Sequence, residues 1–113
     1  MNLAPDKPLP PGRITEYIRS KINQELRLYW TEHAKEQMAD RDLLMGDVFA
    51  VLRHGFVYEE GVPATQVGCF KYQMEGTSPN SNGRTVRVVV IPNHRNELKI
   101  VSVMWRDEPM TRA

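Results

Sequence analysis

The sequence predicts an α+β domain in which N-terminal helices precede a four-stranded antiparallel sheet. Three observations carry this expectation. Apolar residues recur at helical spacing through the first half of the chain and at period two through the second. The change of rhythm falls at one place, near Phe56. The length of 113 residues fits a single domain, and a hydrophobic fraction of 41% with 26% charged residues is ordinary for a globular protein.

Residues 1–13 predict a separate arm. Pro5, Pro8, Pro10 and Pro11, followed by Gly12, favour an extended and stiff leader. The domain proper is expected over 14–106. Its first helix is predicted over 14–27, ITEYIRSKINQELR, where Ile14, Ile18, Ile22 and Leu26 form one stripe with Tyr17 beside it. That stripe suits core packing, with docking of a partner as the alternative. Leu28, Tyr29 and Trp30 lead to Thr31, an N-cap for a second helix over 32–40. Ala34 and Met38 give its buried face, and His33, Gln37 and Arg41 recur at i, i+4 and i+8 on a neighbouring face. A third helix is predicted over 47–54, with Val48, Val51 and Leu52 pointing one way and Asp47 complementing the helix dipole. Gly55 is expected to end it in the left-handed conformation.

Strands are predicted near 56–60, 67–75, 84–92 and 98–106. Phe70, Tyr72 and Met74 alternate with Cys69, Lys71, Gln73 and Glu75, and Val86, Val88 and Val90 alternate with Thr85, Arg87 and Val89. Thr77–Gly83 is a turn cluster and Asn93–Glu97 a second hairpin loop. Residues 107–113 lack periodicity and are expected to form a flexible tail. The helices should cover one sheet face and leave the other open, or covered by a partner.

Composition removes several function classes. No run of about 18 apolar residues exists, so no membrane span is expected. The N-terminus lacks the apolar segment of a secretory signal. Cys69 is the only cysteine, which excludes an internal disulfide and cysteine-rich zinc sites and suits a reducing cytoplasm. The net charge of +1 excludes a basic coat over the whole chain, yet charge is segregated. Residues 32–60 hold three cationic against seven acidic side chains, and residues 68–106 hold six against two. The basic half reads either as a phosphate-holding sheet face or as a solvated strand surface.

Several segments then occur in a definite order: TEHAKEQMADRDL from Thr31, DVFAVLRHGFV from Asp47, FKYQMEG from Phe70, and RVVVIP followed by LKIVSVMW to Trp105. From about 30 to 105 the chain resembles a small bacterial family, the domain of unknown function DUF4258. The first two segments are similar to its His-Ala-x-x-x-Met-x-x-Arg and Asp-Val-x-x-Val-Leu-x-x-Gly helices. That family is in turn similar to BrnT-type and RelE-type toxins. The resemblance therefore implies their ribonuclease-like α+β arrangement, a metal-independent endoribonuclease activity, and neutralisation by an antitoxin protein. Two departures stand out. Such toxins are usually strongly basic, and the family's closing strand often carries Thr where this chain has Ser102.

Cleavage of RNA by this route uses the ribose 2′-hydroxyl as nucleophile and needs a proton acceptor, a proton donor and cations on the phosphate. His33 suits the acid–base role, and the resemblance raises that reading over a packing histidine. Arg41 could clamp phosphate or pair with Glu36, Asp40 or Asp42. Lys71 and Arg87 meet on one face if their strands pair in matching register, and are otherwise solvated strand charges. Arg84 and Ser102 are further substrate contacts, Ser102 also reading as a polar break in a buried strand. His33, His54, His94 and Cys69 have no metal-ligand spacing, so neither a metal nor another cofactor is expected. The partners expected are RNA and an antitoxin. A non-catalytic protein-interaction module on the same fold, and a nucleic-acid binder without chemistry, are the alternatives.

Overall fold

A computed structural model describes residues 7–24, 26–93 and 96–108. Most of the expected arm, the loop residues His94 and Arg95, and the tail from residue 109 lie outside them. No helix among the described residues is long and apolar enough to cross a membrane.

The order is α1 (Pro11–Ile22), β1 (Arg27–Trp30), α2 (Glu32–Asp40), α3 (Met45–His54), β2 (Phe56–Val57), β3 (Val62–Pro63), β4 (Phe70–Gly76), β5 (Val86–Pro92) and β6 (Glu97–Trp105). This is the α+β class that the rhythm of the sequence predicts. The sheet, however, has six strands and is mixed, where four antiparallel strands were expected. Its order is β1-β6-β5-β4-β2, with β3 pairing further along β4.

Two of the extra elements come from the chain's ends of pattern. The helix predicted over 14–27 begins and ends early. Pro11 occupies its first turn, where a missing N–H costs nothing. The Thr15 hydroxyl donates to the Pro11 carbonyl at 2.8 Å and accepts the Val57 N–H at 2.9 Å, tying α1 to β2. After Ile22 the chain leaves the helix so that Arg27–Trp30 can lie parallel to β6, Arg27 opposite Glu97 and Trp30 opposite Ile100. A four-residue strand paired some seventy positions away leaves no local rhythm to read. The strand predicted over 56–60 is shortened to β2, and β3 follows it as an unpredicted strand, both along the same edge of β4.

One sheet face carries the core. Met74, Val88, Val90, Leu98, Ile100 and Val103 are buried against Ile14 and Ile18 of α1 and Val48, Val51 and Leu52 of α3. Arg19 fastens the two helices, donating to the carbonyls of His54 and Gly55 at 2.8 Å at the end of α3. Asp47, 2% exposed, accepts the Leu44 N–H at 2.8 Å and the Ser78 hydroxyl at 2.6 Å, so it starts α3 and anchors the 77–83 turn. Gly55 does not stop α3 in the left-handed region; its φ is −79°. Glycine is needed there because a Cβ would lie 2.5 Å from the Glu75 carbonyl oxygen and 2.6 Å from that of Val51.

Helix α2 does not cover the core face in the same way. It runs along the part of β6 that extends past β1. Gln37 Oε1 accepts the Val103 N–H at 2.8 Å and the Ser102 hydroxyl at 2.8 Å, filling an edge that would otherwise be unpaired. The opposite sheet face is left without a helix.

Candidate functional site

Register arranges the uncovered face in rows. Lys99 faces Ile91 on one side and Tyr29 on the other, and Tyr72 faces Val90, which sets Lys71 beside Ile91. Tyr29, Lys99, Ile91 and Lys71 therefore form one row. Four positions along β4, Phe56, Glu75, Arg87 and Met104 form another. Lys71 and Arg87 do share a face, as the alternation of β4 and β5 allows, but at opposite ends of it.

At the first end is an open cavity of about 460 Å³ whose wall includes His33, Lys71, Lys99, Thr31, Cys69 and Asn93. His33 reaches it because of how α2 begins. The Thr31 hydroxyl accepts the Ala34 N–H at 3.0 Å, as an N-cap should, and donates to the Val101 carbonyl at 3.1 Å. Val101 is an extra residue on β6, between Ile100 opposite Val90 and Ser102 opposite Val89. This bulge and this cap together set the first turn of α2, and with it the imidazole, at the margin of the open face. Among the described residues, the side chains of His33, Lys71 and Lys99 enter no ion pair or hydrogen bond. Three basic groups without partners among the described residues line one concavity.

The remaining residues predicted from sequence are committed elsewhere. Arg41 ends α2 and grips Glu108 through two parallel contacts, Nε to Oε1 at 2.6 Å and Nη2 to Oε2 at 2.8 Å. That hydrogen-bonded pair raises the guanidinium pKa and holds the Glu108 carboxyl below its usual value. Arg84 pairs with Asp107 at 2.8 Å and lies 4.2 Å above the Trp105 ring. Asp107 and Glu108, assigned by pattern to the tail, are thus held against the domain. Ser102 gives its proton to Gln37. Arg87 belongs to the second end of the face, where its Nε meets Glu75 Oε2 at 2.9 Å and Arg106 Nε meets Glu75 Oε1 at 3.1 Å. A larger cavity of about 630 Å³ opens there, with His54, Phe56, Tyr58 and these three charges in its wall.

The structure thus joins His33 to Lys71 and does not join Arg41, Arg84, Arg87 or Ser102 to them. It adds Lys99, which sequence reasoning counted among the basic residues of the second half without assigning it to the site. The signal was present: Lys99 alternates with Leu98 and Ile100 as Lys71 does with Phe70 and Tyr72. Tyr29 reads from sequence as one of several aromatics, core or base-stacking, and its place in this row was not legible because β1 has no rhythm of its own.

What this arrangement can do follows from its chemistry. Ammonium groups supply point charges for a phosphate, and imidazole supplies proton transfer near neutral pH. No curated protein and no solved structure matches the chain. The profile of one family does, over residues 30–105, a span that begins at Trp30, the last residue of β1, holds His33, Lys71 and Lys99, and closes with β6. The chain belongs to DUF4258, a domain of unknown function.

Proposed function

We propose that this protein is an RNA-directed module that cleaves RNA without a metal ion, at the end of the sheet face where His33, Lys71 and Lys99 converge. The observation that carries the reading is the contrast in commitment: the arginines Arg41, Arg84 and Arg87 are neutralised by carboxylates, whereas these three bases have no protein partner among the described residues. In this scheme His33 takes the proton of a ribose 2′-hydroxyl. The oxygen attacks the adjacent phosphorus, and Lys71 and Lys99 offset the charge that develops on the phosphoryl oxygens. The bond to the 5′-oxygen breaks, leaving a 2′,3′-cyclic phosphate, and the departing oxygen takes a proton from water in the open cavity. The exposed Tyr29 ring beside Lys99 offers a base-stacking surface. The similarity of DUF4258 to BrnT and RelE toxins supports the RelE/BrnT-like arrangement by analogy, and with it an antitoxin that covers this face.

The test is controlled expression in a bacterium beside the His33→Ala variant, with the ends of total RNA mapped, together with RNA binding by the purified chain across a salt series. The expected result is growth arrest and new cyclic-phosphate ends for the wild type alone. His33→Ala should retain binding, and Lys71→Ala and Lys99→Ala should each weaken binding and flatten its salt dependence. A folded wild-type chain that neither binds nor cleaves RNA at low salt overturns the reading. The interaction module, for which the exposed Phe56, Tyr58 and Val62 along the other edge speak, would then take its place.

A further inference from the structure

The second end of the open face has a composition that the proton-transfer scheme does not use. Its cavity pairs an aromatic wall with a charged floor. Phe56 and Tyr58 stand 6.0 Å apart with their rings inclined by 40°, and both are largely exposed. Arg19 lies 4.3 Å above the centre of the Phe56 ring and fixes it in place. The floor is Glu75, whose side chain is 11% exposed, between Arg87 at 17% and Arg106 at 61%. A carboxylate is an acceptor only, with about four acceptor directions, so its contacts with the two arginines do not exhaust it. Arg106, mostly exposed, meets Glu75 Oε1 through Nε, and among the described residues its two Nη groups have no acceptor.

With each Glu75 oxygen in contact with one arginine and able to accept again, and with the Arg106 Nη groups beside them, this wall can offer two acceptors and a donor. Among the RNA bases, one has the complementary edge. Guanine shows two adjacent donors, N2–H and N1–H, followed by the acceptor O6. Adenine and cytosine each place a single donor beside an acceptor, and uracil places one donor between two acceptors. Resting on the RNA reading above and specifying it, we infer that this cavity is a guanine-recognition subsite. The base stacks on Phe56 and Tyr58, its Watson–Crick edge meets the Glu75 carboxylate, and Arg106 donates to O6. Glu75 and Lys71 are four residues apart on one strand, about 13 Å, so a short single-stranded segment reaches from this subsite to His33.

The test compares guanosine, inosine and adenosine 3′-monophosphates by calorimetry and amide chemical shifts on the full chain. Inosine lacks only the 2-amino group. Guanosine monophosphate is expected to bind about tenfold or more tightly than either analogue, with shifts centred on Gly55 and Gly76. Glu75→Gln should erase the preference, and Tyr58→Ala should weaken all three nucleotides alike. If Glu75→Gln fails to fold, the inosine comparison and Tyr58→Ala leave the ion pairs intact and decide the matter. Equal affinity for the three nucleotides, no binding, or shifts confined to Lys71 and Lys99 overturns the subsite. Oligouridylate separates the two proposals. Lys71-dependent binding of it without any guanine preference removes the subsite and leaves the RNA reading, whereas a guanine preference without cleavage keeps the subsite and removes the proton-transfer scheme.

Discussion

Single residues in this protein divide into those that pack, those that pair and those that have no protein partner among the described residues. Gly55 belongs to the first group. Its neighbours at 2.5 and 2.6 Å are backbone carbonyls, which cannot swing aside as a side-chain tip can. Gly55→Ala is therefore expected to destabilise the fold by about 1–3 kcal/mol, read as a lower denaturant midpoint, whereas Gly46→Ala, with nothing within 4 Å, should be neutral or mildly stabilising. The sequence marked Gly55 as a helix stop and assigned it the wrong reason, because the approach of β4 is a tertiary fact. For His33 and Lys71 the residue scale was more informative. Alternation put Lys71 opposite a buried row, and the Thr31 cap put His33 in a first turn. Arg41 had acidic neighbours in sequence but took its partner, Glu108, from the far end of the chain.

Elements were legible where their rhythm was long enough. Helices α2 and α3 and the three long strands stand close to their expected places, whereas α1 is shifted toward the N-terminus and gives up its last residues before β1. Of the short segments, β2 falls inside the strand expected over 56–60, whereas β1 and β3 did not register, because they are held by the strands they join and not by a pattern of their own. The docking of α2 is likewise a matter of side chains across elements. Gln37 satisfies both the Val103 N–H and the Ser102 hydroxyl with one oxygen. Gln37→Ala should leave those two groups without their acceptor and cost about 1–3 kcal/mol, and because α2 carries His33 it should also raise amide exchange at the start of that helix. Ser102→Ala removes one donor and leaves no buried acceptor stranded, so about 1 kcal/mol or less is expected. A Ser102→Ala variant that kept its stability but lost RNA binding would return Ser102 to the site.

For the molecule as a whole, the closing turn after β6 is held by charge. Glu108 accepts from Arg41 and from the Trp105 N–H at 2.7 Å, and the Arg41 hydrogen bond is the main reason its carboxyl ionises below the usual range. A carboxyl with a depressed folded pKa stabilises the fold fully above the ordinary glutamate range and loses that contribution as pH falls through its lowered value. Acid titration should accordingly release the segment 106–108, seen as a change in Trp105 fluorescence. Arg41→Ala should abolish that acid transition and lower stability at neutral pH by about 1 kcal/mol. The same long-range pairing explains why the site was only half visible in sequence. Whether Lys71 meets Arg87 or Lys99 depends on strand register, and register was fixed by hairpins and a bulge whose lengths the alternation alone does not specify.

That bulge also sets a timetable. The Val101 carbonyl accepts from the Thr31 hydroxyl, and among the described residues β1 pairs with β6 alone. Closing that contact spans about seventy residues, a long loop whose entropy must be met before its contacts repay it. A chain emerging from the ribosome can build α1, α3 and the β4–β5 hairpin in sequence, but the ends of the His33 cavity come together only once residue 101 is available. Lys71 on β4 is synthesised before the imidazole has a place to stand, so the His33 cavity is complete only once synthesis has passed residue 101.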